Sequence, residues 1–284
     1  ISIDLNGYTR KSRSEIFQYK MSPIQINYLG YPSTMGANFI DYIIADPVTI
    51  PDVSRNFYSE KIIYMPHTYQ ANDDKRKIAR TNSKRVDFNL PEKGFVFCCF
   101  NQIYKISPKE FNIWMRLLRH VNNSVLWLIK SNKLVEHNFS KEAKRQGIDP
   151  LRIVFAEKLS HSEHLARHKH ADLFIDTFNY NAHTTASDAL WAGLPIVTKQ
   201  GKQFSARVTS SLLTACGLPE LITKNEKEYE ELIYELATNH KKLKTISLKL
   251  SKNKKNKPLF NTKQYTNNFE NGLQKAYDLY FNGE

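Results

Sequence analysis

Cysteine is scarce in this chain, with three among 284 residues. Cys98 and Cys99 are adjacent and Cys216 stands far away, which gives neither a disulfide framework nor a zinc-ligand spacing. A reducing cytoplasm is therefore the expected compartment. Glycine is also sparse, at ten residues, and never falls in the GxGxxG or Walker A pattern. Dinucleotide and P-loop readings lack the glycines they depend on. No apolar run approaches the ~18 residues of a membrane helix, so no membrane span is expected. No fixed repeat period is visible, which excludes a repeat array within the chain itself. No signal peptide is visible either. The chain opens on Ile1 rather than Met and reads as a piece of a longer one, so an upstream targeting segment stays open.

Acidic residues are outnumbered, 28 against 41 Lys and Arg, for a net charge of +13. Such a surplus suits a polyanion partner or a solvated lysine-rich surface. Much of it sits in KKLKTISLKLSKNKKNK, Lys241 to Lys257, where Leu243, Ile246, Leu248 and Leu250 suggest the apolar stripe of a helix. No finger, helix-turn-helix or RNA-binding aromatic box accompanies the charge, so no nucleic-acid partner is expected.

What the chain does have is alternation. Hydrophobic residues make up 41%, and short apolar runs take turns with amphipathic stretches. GFVFCCF, SVLWLIK, RIVFA, DLFID and PIVTK read as strands. SPKEFNIWMRLLRHV reads as a helix, with Ser107 as its cap and Pro108 in its first turn. A second helix near residues 134–146 stops at Gly147, and another follows in HSEHLARHKH. Residues 262–281 read as one or two helices. Strict strand–helix alternation argues a parallel sheet covered on both faces. The first ~90 residues alternate less regularly. There ISIDL, IQINYL, DYIIAD and KIIYM look like strands, while SRSEIFQ and MGAN look like helical turns. Residues 70–84 are polar and charged and form the best candidate for a hinge-like linker. Asp73 and Asp74 in it read as solvated residues rather than a metal site.

Three stretches carry candidate chemistry. In FNYNAHTTASDALWAGLP, a helix beginning near Thr184 exposes unpaired N–H groups and a positive dipole end, with Thr184 and Thr185 adding hydroxyls. That combination suits a phosphate. Asp188, three and four residues on, shares that face and could take a sugar hydroxyl. An ordinary Thr cap with an acid in the first turn fits the same residues. In FNQIYKISP, Gln102 and Lys105 follow a strand, where a lysine can neutralise a diphosphate or simply be a surface residue. In HSEHLARHKH, the three-and-four spacing of His161, His164 and His168 permits a zinc site, but no HExxH signature accompanies it and a scattered set, with His170, is the expectation.

Together these motifs resemble the catalytic region of the protein O-GlcNAc transferases, including the bacterial SPINDLY-type relatives. The likeness rests on LNGYTR, NYLGYPSTMGANFIDYIIAD, EKIIYMPHTYQ, CCFNQIYKISP, NSVLWLI, EHLARHKHADLFIDT, NAHTTASDALWAGLPIVT, RVTSSLL and PLFNTKQYT, which run in the family's order from Leu5 to Thr266. The resemblance implies an α/β fold of GT-B type, two Rossmann-like lobes with the active site between them. Residues 1–83 would be the end of the N-terminal lobe with the linker. Residues 84–284 would be a complete nucleotide-sugar-binding lobe with terminal helices. The implied reaction is inverting transfer of N-acetylglucosamine from UDP-GlcNAc to protein Ser or Thr hydroxyls, with neither metal nor other cofactor. GDP-fucose is the alternative donor, and a non-catalytic nucleotide-binding fragment the alternative role.

By the same resemblance, Gln102 and Lys105 hold the diphosphate, with Lys105 stabilising the leaving group. His183, Thr184 and Thr185 form the phosphate turn, and Asp188 contacts the ribose. Leu159, His164 and Arg167 surround the base, and Leu29 and Gly30 line the sugar. His161 stands where the family has a lysine near the ribose. The short run from Tyr69 to Phe95 matches the bacterial forms, which lack the long insertion of the animal enzymes. The upstream part of the first lobe, with the proposed base, and the TPR repeats that present acceptors lie outside the chain. No general base can be assigned, and apolar sheet surface around Ile24, Ile26, Ile43 and Ile44 is expected to stand uncovered.

Overall fold

The computed structural model describes residues 1–283. Two parallel sheets organise it. The first holds β1 (Ser2–Asp4), β2 (Gln25–Asn27), β3 (Tyr42–Ala45) and β4 (Lys61–Tyr64), paired in sequence order. These match the four apolar runs read as strands. The turn expected in SRSEIFQ is a 3-10 helix over Ser14–Tyr19. MGAN is not helical. Its Gly36 sits at φ +61°, a left-handed backbone that ends any right-handed turn.

The sheet surface expected to be bare is covered. Ile24, Ile26, Ile43 and Ile44 are all buried. On the face of Ile24, Ile26 and Ile44 the cover comes from the far end of the chain: helix α8 (Thr262–Phe281) returns to the first sheet. Phe269 packs on Tyr28 at 5.2 Å between ring centres. Gly272 lies so close that a Cβ there would come within 2.7 Å of Ile63. Residues 262–281 thus form a single helix.

The second sheet comprises β5 (Val96–Cys99), β6 (Val125–Ile129), β7 (Ile153–Ala156), β8 (Leu173–Ile175), β9 (Ile196–Lys199) and β10 (Ile222–Thr223). All pairs are parallel, in the order β10-β9-β8-β5-β6-β7. Counted from β5, this is the 3-2-1-4-5-6 order of the doubly wound fold, whose direction of winding reverses between β5 and β8. The connecting helices are α1 (Pro108–His120), α2 (Lys133–Arg145), α3 (His161–Arg167), α4 (Thr184–Ala192) and α5 (Val208–Ala215), and α6 (Glu226–Thr238) and α7 (His240–Asn256) follow the last strand. The strands are buried on both faces, which is why they read as continuous apolar runs.

Some local details depart from the sequence reading. Ser107 occupies the N-cap position of α1 but makes no capping bond. Its hydroxyl donates instead to the buried Glu110. On α7, Ile246 and Leu250 are buried, whereas Leu248 is 62% exposed. Leu248 lies only two residues from each, about 200° round the helix. The polar stretch 70–84 is no free hinge. The Gln70 side chain donates to Ser187 and that of Asn72 to the Leu259 carbonyl, while Ala79 N–H donates to Ser162 O. Asp73 and Asp74 are exposed, as read.

Candidate functional site

The loops leaving β5 and β8 diverge at the point where the strand order reverses, and this opens a crevice at their carboxyl ends. Asp176, just past β8, ties the two loops together from below. One of its oxygens accepts from Thr177 N at 2.8 Å, Ala182 N at 2.7 Å and Asn101 Nδ2 at 3.2 Å. The other accepts from Thr198 Oγ1 at 2.7 Å. Full burial pushes the Asp176 carboxyl up to about 6, against the pull of these donors. Asn101 continues the link, accepting the Thr185 hydroxyl at 2.5 Å.

This scaffold aims the start of α4. His183 sits at the N-cap with no side-chain cap, and its carbonyl accepts from Ala186 N and Ser187 N, both at 3.1 Å. Among the described residues the amides of Thr184 and Thr185 find no acceptor. Two free N–H groups at the positive end of a helix make an anion site. Lys105 supplies charge beside it. Its Nζ donates to Asn181 O at 3.1 Å and lies 3.9 Å from the centre of the Tyr180 ring. Burial lowers the Lys105 ammonium to about 8, with the charge of Asp176 holding it from falling further.

His183 stacks on Tyr180 at 4.5 Å. Burial, then the Lys105 charge, lowers its imidazole to about 3. The ring is therefore neutral at pH 7. Its Nε2 lies 3.1 Å from Ser205 O, and a carbonyl only accepts, so the proton resides on Nε2 and Nδ1 is bare.

The opposite wall comes from the first sheet and the crossing chain. Leu29 adopts φ +71°, a backbone that costs energy for a residue with a Cβ and that gathers at functional sites. Gly30 follows because a Cβ there would lie 2.3 Å from the Leu5 carbonyl oxygen. Between the walls lies a cavity of about 480 Å³. Two other concavities, of about 530 and 520 Å³, lie between α1 and α6 and beside β4 and α8, and hold none of these residues.

The structure brings Leu29, Gly30, Lys105, His161, His183, Thr184, Thr185 and Asp188 around this one cavity. Gln102, Leu159, His164 and Arg167 are not on its walls. Gln102 is exposed and opens the turn that carries Lys105, its carbonyl accepting Lys105 N at 2.9 Å. Leu159 is half-buried ahead of α3. Arg167 is buried, its guanidinium 4.5 Å over Phe100, donating to Glu157 O at 2.5 Å and to His164 Nδ1. It props His164, whose imidazole burial lowers to about 3.

The four histidines of the HSEHLARHKH stretch point to separate partners. His161 faces Asp188, His164 pairs with Arg167, His168 binds the His164 carbonyl, and His170 pairs with Ser83. Among the described residues no group of three His, Cys, Asp or Glu could hold a metal. Two expected ligand groups are partly committed. The Thr185 hydroxyl belongs to Asn101, and Asp188 is paired through Oδ1 with Arg76 at 2.7 Å and His161 at 3.3 Å.

Sequence reasoning missed Asn101, Asp176, Tyr180 and Arg76. The first two follow strands β5 and β8 directly, and that position at a carboxyl end was the available signal. Arg76 lay in a polar stretch that read as a hinge-like linker.

The Arabidopsis thaliana protein named probable UDP-N-acetylglucosamine–peptide N-acetylglucosaminyltransferase SEC is 40% identical over 290 residues, covering 100% of this chain and 30% of its own length. The Caenorhabditis elegans UDP-N-acetylglucosamine–peptide N-acetylglucosaminyltransferase is 28% identical over 394 residues, covering 100% of this chain and 34% of its own. The chain thus spans about a third of the length of these relatives. Among solved structures, a mutant O-GlcNAc transferase from Thermobaculum terrenum superposes with a TM-score of 0.85 at 24% identity, over 97% of this chain and 51% of that one. The Anabaena protein HepE, in complex with UDP and glucose, gives 0.62 at 14% identity, over 89% and 72%. The fold is that of the GT-B glycosyltransferases. The pattern of glycosyl transferase family 41 matches residues 1–87 and 71–269, and the chain belongs to that family.

Proposed function

We propose that this chain is the donor-binding part of a protein O-linked N-acetylglucosaminyltransferase, which moves N-acetylglucosamine from UDP-GlcNAc to Ser or Thr hydroxyls with inversion. The observation that carries this reading is the pair of unpartnered amides of Thr184 and Thr185 beside Lys105, in a cavity at the reversal of strand order. The names of the plant and worm relatives support the donor and the protein acceptor.

As the bond between the sugar C1 and the phosphate oxygen breaks, negative charge grows on the departing diphosphate. Lys105 and the two amides meet that charge, and such preorganised donors act more on the transition state than on the ground state. The reaction so read needs no metal or cofactor. Gln102 supports the diphosphate site through the turn that carries Lys105, Leu159, His164 and Arg167 support the base side from off the cavity wall, and Leu29 and Gly30 border the sugar. Neutral His183, its proton held by the Ser205 carbonyl, supports the amide site. The acceptor's base is not assigned to any residue here.

The lobes divide near residue 83, with α8 returned to the first. An upstream TPR region presents acceptors, the short connection is of the bacterial type, and three buried, unpaired cysteines support a reducing, cytoplasmic setting. Among the described residues no helix is long and apolar enough to cross a membrane.

Calorimetric titration with UDP and GDP tests the reading. UDP is expected to bind, and GDP far more weakly. Binding of GDP alone would replace the reading with fucosyl transfer, and binding of neither would refute a donor site.

A further inference from the structure

We infer that Arg76 is a positioning residue for the donor's ribose, fixing Asp188 so that one carboxylate oxygen faces the cavity and accepts a ribose hydroxyl. The inference rests on the nucleoside-diphosphate reading above.

Arg76 belongs to the segment that crosses between the sheets, and it reaches the second lobe at helix α4. Its Nη1 donates to Asp188 Oδ1 at 2.7 Å, and its Nε donates to Asp73 O at 3.1 Å. The guanidinium lies 5.3 Å from the Trp191 ring centre and 5.7 Å from that of Phe260. Trp191 Nε1 in turn donates to the Arg76 carbonyl at 3.1 Å. The side chains of Arg76 and Asp188 are only 11% and 7% exposed. Both border the cavity.

A buried ion pair offsets its desolvation only when its remaining hydrogen-bonding capacity is also used. This pair leaves capacity unused. Arg76 Nη2 is buried with no partner. On Asp188, Arg76 and His161 share Oδ1, and among the described residues Oδ2 receives no donor. An arrangement shaped for stability alone would close these groups. Here Oδ2 stays open beside a cavity whose anion site lies one helical turn away, since Asp188 follows Thr184 by four residues on the same face.

That turn spans about 5.4 Å, so phosphates at the Thr184 and Thr185 amides bring the adjoining ribose alongside Asp188. His161 is 56% exposed on its side chain and among the described residues makes no hydrogen bond besides that to Asp188. Arg76, clamped by Trp191, Phe260 and Asp73, is the contact that sets the carboxylate's angle.

The test is discrimination between UDP, 2′-deoxy-UDP and 3′-deoxy-UDP by calorimetry, on the full chain and on Arg76→Met and Arg76→Lys. A hydrogen bond to a carboxylate predicts that the unaltered chain binds one deoxy ligand about tenfold more weakly than UDP. In Arg76→Met this ratio should fall below about threefold, because the carboxylate is no longer held at one angle. Arg76→Lys keeps the cation against Trp191 but not the planar fork, and its ratio should fall between the two. Equal weakening of all three ligands with the ratio unchanged would show that Arg76 only staples the crossing segment to α4, and would overturn the inference. Should Arg76→Met fail to fold, the Arg76→Lys ratio decides alone. A wild-type ratio near one would also overturn it. Failure of the unaltered chain to bind UDP at all would be a different result, removing the donor reading itself.

Discussion

Replacing Lys105 with methionine keeps the length and apolar stem of the side chain and removes its charge. The structure makes the expected effect specific to phosphate. Lys105 donates only to the Asn181 carbonyl, lies over the Tyr180 ring, and stands beside two free amides. Among the described residues its positive charge has no carboxylate within ion-pair distance. A ligand diphosphate would be its first close anion. One charge-assisted contact of this kind is worth about 1.5–3 kcal/mol, so Lys105→Met should weaken UDP roughly 10- to 100-fold and leave uridine nearly unaffected. The ratio of the two affinities is the readout, because a general loss of fold would lower both.

The ammonium is lowered to about 8, so about nine-tenths of the molecules carry the charge at pH 7 and about one-tenth at pH 9. The preference for UDP over uridine should therefore decline as pH rises through 8 in the unaltered chain and stay flat in Lys105→Met. Bound phosphate favours the protonated lysine and moves the decline upward. An unchanged ratio of UDP to uridine in Lys105→Met would refute the reasoning and leave Lys105 as a loop lysine.

Asp176→Ala takes the shared acceptor from four buried donors and should cost on the order of 4 kcal/mol in urea unfolding. Asp176→Asn can keep its oxygen on three of those donors and turn its amide to Thr198, so about 1–2 kcal/mol is expected. Equal damage from both would show that charge, not acceptor geometry, holds the loops. The Asp176 carboxyl, raised to about 6, binds its proton in the native state where the unfolded chain has lost it. Its contribution to stability is thus complete below about pH 4 and declines as pH rises to about 6, and Asp176→Asn should remove that decline from a pH series of unfolding curves. Tyr265→Phe removes the donor that Tyr265 supplies to Tyr69 O at 2.7 Å and its bond to Tyr28. A loss of about 1–2 kcal/mol in thermal unfolding is expected, and no loss would mean that α8 docks by apolar contact alone.

Much of the fold was legible because the second lobe is parallel. Strands buried on both faces must be apolar throughout, and runs such as GFVFCCF and SVLWLIK say so without a partner. The helix of Thr184 was legible too, because its start and stop are local signals: a polar N-terminal turn, and Gly193, which adopts φ +92°. What stayed hidden depends on distant residues. Nothing near Ile24 or Ile44 announces that a helix more than 200 residues later will cover them. β10, two residues long, leaves too short a run for periodicity to register. Arg76 failed to stand out for the same reason. Its neighbours Asp73, Lys75 and Lys77 are exposed, and only the approach of Asp188, Trp191 and Phe260 from the other lobe makes it a buried cation.

The cavity owes its shape to this long-range closure. One wall hangs on β2 and the crossing segment, the other on the loops after β5 and β8, so any slippage between the lobes would alter it. Buried polar contacts across the seam oppose such slippage. Asp46, at the end of β3, accepts from Tyr69 N at 2.9 Å and from Ser211 Oγ on α5 at 2.7 Å. Arg207 donates back to Val48 O at 2.6 Å. Gln70 reaches Ser187 on α4 at 3.0 Å, one residue before Asp188. Burial raises the Asp46 carboxyl against the pull of its donors, so the seam is held by directional bonds at a desolvation cost rather than by apolar area alone. Directional bonds fix register, which apolar contact does not. That is the property a site needs when its strained backbone at Leu29 and Gly30 and its free amides at Thr184 and Thr185 belong to different sheets.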